Sequence, residues 1–104
     1  MSEIDDKLYL ARICHLSGLH EEALNYIEEV VILKNGNINE EEKNLLFTSL
    51  KSLINFRRES WRTINALESK EIKNNSNLLP RVTELKATLA EEIKNFVNKG
   101  IELH

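Results

Sequence analysis

One proline, three glycines and one cysteine are spread over 104 residues. An all-β fold with many tight turns needs far more chain punctuation than that, and is excluded. With Cys14 as the lone thiol no internal disulfide can form, which fits an intracellular protein. No apolar run approaches the roughly 20 residues needed to cross a bilayer. The start, MSEIDDKLYL, lacks the basic-then-apolar pattern of a secretory leader. There is no glycine-rich phosphate loop and no evident nucleophile–base pair, so nothing supports an enzyme. A metal is not expected either: Cys14 and His15 point about 100° apart on a helix, and with His20 they leave a fourth ligand missing.

Hydrophobic residues make up 41% and charged residues 30% of the chain, the balance of a globular protein. Leu, Ile, Glu, Lys and Asn dominate and favour helix, and four segments carry helical periodicity. Residues 3–17 place Ile4, Leu8, Ala11, Ile13 and Cys14 on one face, behind a Ser2 cap and an acidic first turn. Residues 20–34 carry Ala23, Leu24, Ile27, Val30 and Val31, and only a tight corner at Gly18 separates these two helices. Residues 39–73 start at an Asn39 cap and run without Gly or Pro, a helix long enough to project from a small bundle. After a loop at NNSN, residues 78–103 repeat apolar positions at Val82, Leu85, Leu89, Ile93 and Phe96, with Gly100 weakening the end. The expected fold is an all-α antiparallel bundle. Tyr9, Tyr26, Phe47, Phe56 and Phe96 should line its core or a groove, and Trp61 should be a buried anchor.

The net charge of −3 conceals an uneven distribution. Residues 1–42 hold 3 basic and 10 acidic side chains, residues 43–70 hold 6 and 2, and residues 71–104 hold 5 of each. The acidic first block would repel a polyanion, so nucleic acid is not the expected partner. A confined basic patch fits a small anion or an acidic protein surface. On a helical wheel Lys51, Arg58 and Arg62 fall within about 20° of one line, with Asn44 and Asn55 beside them. Neither Lys51 nor Arg58 has an acid three or four residues away, and only Arg62 does, at Glu59. Such a stripe is either a solvated face paired by other elements, or a surface kept open for an anion, whose oxygens match the guanidinium fork.

The stretch NEEEKNLLFTSLKSLINFRRESWRTINALESKE resembles the signature of the 14-3-3 family. Asn44-Leu45-Leu46, Lys51, Arg57-Arg58, Ser60-Trp61-Arg62 and Glu68 match in register, and LARICHLSGLHEEALNYIEEVV is similar to the family's first two helices. The resemblance implies a non-enzymatic, cofactor-free adaptor that binds phosphoserine and phosphothreonine motifs of client proteins. It implies a cytoplasmic protein, with the nucleus as a second compartment. By position, Lys51 and Arg58 fall on phosphate-contacting residues and Arg62 on a further basic residue of the same groove. The implied homodimer or heterodimer surface includes Ile13, Ser17, Leu19, His20, Glu22, Ser60, Thr63, Leu67, Leu85 and Glu92. Leu19 and His20 stand where the family has an Arg-Tyr pair, whose arginine usually meets an acid aligned with Glu92. Arg57-Arg58-Glu59-Ser60 also reads as a basophilic kinase substrate, so Ser60 is either a regulatory phosphorylation site or an unmodified interface serine.

Residues 1–104 correspond to about the first four helices of that fold: the dimerisation half and one wall of the groove. The ending IELH reads as a longer helix cut short. The alternative is a tetratricopeptide-like scaffold binding peptides without phosphate. LARICHLSGLHEEALNYI resembles one such repeat, but no second copy follows and RRESWR is left unexplained.

Overall fold

The computed structural model describes residues 2–73 and 77–103. They form four helices in chain order: α1 (Glu3–Leu16), α2 (His20–Leu33), α3 (Glu40–Lys73) and α4 (Leu79–Leu103). Each start and stop lies within one residue of the periodicity-based expectation. Of the expected NNSN loop, residues 74–76 lie outside the described residues, and Asn77 and Leu78 form a turn.

The first two helix ends are set by local chemistry. Ser2 Oγ accepts the Asp5 N–H at 3.1 Å and caps α1. At its far end Leu19 N–H reaches Cys14 O at 2.8 Å and Gly18 N–H reaches His15 O at 3.1 Å. Gly18 takes φ +79°, the left-handed turn that this paired closure requires. Helix α2 ends the same way: Gly36 N–H bonds Val31 O, Asn35 N–H bonds Ile32 O, and Asn35 takes φ 54°. Then Asn39 Oδ1 accepts Glu42 N–H at 2.9 Å while Glu42 Oε1 accepts Asn39 N–H at 3.0 Å, a reciprocal capping box that starts α3.

The core is a single cluster of Ala11, Leu24, Ile27, Val30, Val31, Leu45, Leu46, Leu50 and Leu53. It joins α1 and α2 to the first half of α3. Among the described residues no side chain of α4 is buried, although Phe96 packs against the cluster. The second half of α3 and α4 therefore form a two-helix arm, and the molecule measures 59 × 26 × 18 Å. Polar contacts tie the arm together. Lys86 Nζ bonds Glu68 at 2.7 Å and Asn65 at 3.1 Å, and lies 5.4 Å from the Trp61 ring centroid. Arg57 Nε bonds Glu92 at 2.7 Å, and the guanidinium stacks 4.6 Å over Phe96. Lys99 meets Glu28 at 2.9 Å and fastens α4 to α2.

Two expectations change, for Trp61 and Tyr9. Trp61 is half-buried: Lys86 of α4 lies over its ring, and the ring also lines a cleft with Arg58, Arg62, Ala90 and Ile93. Tyr9 is exposed instead of lining a core or groove, whereas Phe56, though exposed, lines a surface depression with Ser60, Thr63 and Ile64. Leu67 and Leu85, expected at a subunit surface, are exposed. Helix α4 continues through Gly100, where an added Cβ would sit 3.4 Å from Leu50 Cδ1 of α3.

Candidate functional site

Helix α3 fixes the basic stripe because its first half is locked into the core and its second half is clamped to α4. Lys51, Arg58, Arg62, Asn44 and Asn55 are all exposed. Lys51 and Arg58 are separated by about 10 Å along the axis and Arg58 and Arg62 by about 6 Å, at 1.5 Å per residue. Flexible side chains on that spacing can converge on one anion. Among the described residues Lys51 and Arg58 make no hydrogen bond or ion pair. Arg62 donates from Nη1 to Glu59 Oε1 at 2.5 Å, with both side chains about two-thirds exposed. Arg58 and Arg62 share a cleft of about 390 Å³ with Trp61, Ala90 and Ile93.

Arg57 behaves differently from its neighbour. It points into the α3–α4 contact, 16% exposed, and donates from Nη1 to Leu53 O at 3.3 Å besides its contacts with Glu92 and Phe96. Two successive arginines thus split into a structural cation and a free one. Counting helical neighbours cannot find Arg57's acid, because Glu92 lies 35 residues away on another helix.

Eight of the ten residues expected at a subunit contact occupy two separate places, and the other two, Leu85 and Glu92, lie on α4. Ile13, Ser17, Leu19 and Glu22 are exposed around the α1–α2 corner, where the half-buried His20 packs edge-to-face on His15 at 5.3 Å. On the side of α3 opposite the basic stripe, Ser60 is half-buried and Thr63 and Leu67 are exposed. Ser60 Oγ donates to Phe56 O at 3.0 Å and Thr63 Oγ1 donates to Glu59 O at 3.0 Å. Phe56, 70% exposed, belongs to this face and was missed. The signal was present: Phe56, Ser60, Thr63 and Leu67 follow the i, i+4, i+7, i+11 rhythm of one helix side. Leu85 is exposed on α4, and Glu92 is held within the chain by Arg57.

A family model described as 14-3-3 protein matches residues 10–103, which include the whole stripe. The chain belongs to the 14-3-3 family. It is 31% identical over 100 residues to 14-3-3 protein 3 of Entamoeba histolytica, 95% of this chain and 41% of that protein. It is 29% identical over 105 residues to 14-3-3-like protein F of Nicotiana tabacum, 98% and 41% of the two chains. Against 14-3-3 protein 6 of Solanum lycopersicum it is 28% identical over 102 residues, 95% and 40%. The chain thus spans about 40% of the length of the 14-3-3 relatives it matches. Among the described residues no helix is long and apolar enough to cross a membrane, and no cluster of three or more His, Cys, Asp or Glu side chains is placed to hold a metal.

Proposed function

We propose that residues 1–104 form the dimerisation half and one groove wall of a phosphoserine- and phosphothreonine-dependent 14-3-3 adaptor, with Lys51 and Arg58 as the primary phosphate contacts and Arg62 as the third. The carrying observation is that Lys51 and Arg58 stand exposed and unpaired on one face of a fixed helix. A surface cation with no partner among the described residues is suited to an anion from outside. The stripe lies within the matched segment, and 14-3-3 family proteins are adaptors, not enzymes. A charge-assisted hydrogen bond from either residue contributes about 1.5–3 kcal/mol.

The test is titration of the chain with a synthetic peptide carrying one phosphoserine, against the same peptide with serine, followed by NMR so that millimolar affinity is visible. Phosphate-dependent shifts at α3 are expected, and Arg58→Glu should weaken binding at least tenfold. Equal binding of the two peptides would return the reading to a tetratricopeptide-like scaffold. The same proposal makes the Phe56–Leu67 face and the α1–α2 corner the two sides of a subunit contact. Phosphate on Ser60 would place close to two negative charges on that apolar face and oppose association.

A further inference from the structure

The stripe holds three cations, and among the described residues only one of them, Arg62, has a partner. Arg62 is bound by Glu59 from the preceding turn. Glu59 has no structural duty that explains the contact: its carboxylate touches nothing else among the described residues, and both partners are mostly exposed. The backbone oxygen of Glu59 supports Thr63, but that bond is independent of the carboxylate. Arg62 also stands at a border. With Arg58 it lines the cleft above Ala90 and Ile93, while Glu59 lies on the other flank, lining a depression with Phe56, Ser60, Thr63 and Ile64. The guanidinium is therefore drawn towards a carboxylate on the side away from the cleft.

Resting on the phosphopeptide reading above, we infer that Glu59 is a tethered competitor for Arg62, which an incoming phosphoryl group must displace before all three cations engage it. A carboxylate presents the same two-oxygen edge to a guanidinium as a phosphate does. Glu59 is attached to the same helix, so its effective concentration at Arg62 is high. A ligand carboxylate brings nothing that Glu59 does not already supply. A phosphoryl group brings nearly twice the charge and a third oxygen, and it is already held by Lys51 and Arg58 when it meets Arg62. The competitor is weak, as exposed pairs are, so it tunes binding without closing the site. In function it sharpens the preference for phosphorylated over merely acidic ligands.

The experiment is a double-mutant cycle on the 104-residue chain, using Glu59→Gln, Arg62→Gln and both together. The probe is the single-phosphoserine peptide, with its unphosphorylated form as control, at low ionic strength. Circular dichroism checks that helicity is kept, as exposure of both side chains predicts. Glu59→Gln is expected to tighten phosphopeptide binding about two- to fivefold, the range set by exposed pairs. On the Arg62→Gln background the same change should have less than half that effect. Unchanged or weaker binding by Glu59→Gln overturns the competitor role while leaving the adaptor reading standing. Equal tightening with and without Arg62 also overturns it, by showing only a general loss of negative charge. If no variant distinguishes the phosphorylated peptide, the adaptor reading itself falls and the competitor role with it.

Discussion

Glu42 is 1% exposed, yet its carboxylate is charged and shared between two jobs. Oε1 accepts the Asn39 N–H that begins α3 and the Lys34 ammonium at the end of α2, the latter at 2.5 Å. Burial by itself pushes this carboxyl up, but the Asn39 N–H and the Lys34 charge outweigh it and hold the group below the usual glutamate range. Glu68 is lowered too, first by the Lys86 hydrogen bond and then by Thr83. Groups with depressed folded values contribute stability that is complete above the unfolded glutamate pKa and lost as pH falls through the folded one. Thermal stability should therefore decline as pH drops below about 4.5, and Glu42→Gln should flatten that decline in a pH series of melting curves. At neutral pH Glu42→Ala should cost about 2–3 kcal/mol in urea unfolding, because it strands a partly buried ammonium and a backbone donor together.

At the scale of elements, α4 is attached to α3 by side chains that are only partly buried. Arg57 concentrates much of that attachment in one residue: a carboxylate, a carbonyl and an aromatic face. Arg57→Ala should cost about 1–3 kcal/mol and raise amide hydrogen exchange along α4 more than along α2, since the main core does not involve it. The neighbouring Arg58→Glu should leave exchange unchanged. This pairing marks the border of what the sequence made legible. The α2 stripe was readable to the residue, as Ala23, Leu24, Ile27, Val30 and Val31 are all buried. The capping residues Ser2 and Asn39 were readable too, because caps depend on neighbours within three positions. Local accounting showed that Lys51 and Arg58 have no acid three or four residues away on their own helix, but it left open whether another element pairs them. Another element does so for Arg57 and, among the described residues, not for these two. Leu85 was assigned to the apolar face correctly, but periodicity names a face without saying what covers it, and the side chain is 57% exposed. Tyr9 was misplaced in a groove or core for the same reason, and Arg57's role depends on a contact that no local window contains.

The whole molecule exposes 7121 Å². A compact monomer of 12.1 kDa exposes roughly 6,000 Å². Its radius of gyration, 17.4 Å, likewise exceeds the ~13 Å of a compact chain this long. The excess comes from the arm and carries Phe56, Leu67 and Leu85, while Ile13 and Leu19 project at the other exposed site. Association in the manner of the proposed dimer would cover both. Light scattering at micromolar concentration should give close to twice 12.1 kDa, and Leu67→Glu should return the mass to one chain without loss of helicity. A single-chain mass for the unaltered protein would remove the dimer from the proposal.

The 34-residue α3 also sets how the protein rotates. At about 1.5 Å per residue it reaches some 51 Å, nearly the full 59 Å length. Helical N–H bonds lie close to the helix axis, so the amides of α3 lie along the particle's long axis and are reoriented only by its slow end-over-end tumbling. Their transverse ¹⁵N relaxation will be faster than that of amides in the Asn35–Gly36 turn, whose bonds point elsewhere. Side-by-side pairing of two such rods gives a rounder, slower-tumbling body. Relaxation anisotropy along one helix thus reports the assembly state at concentrations where elution volume, biased by shape, does not.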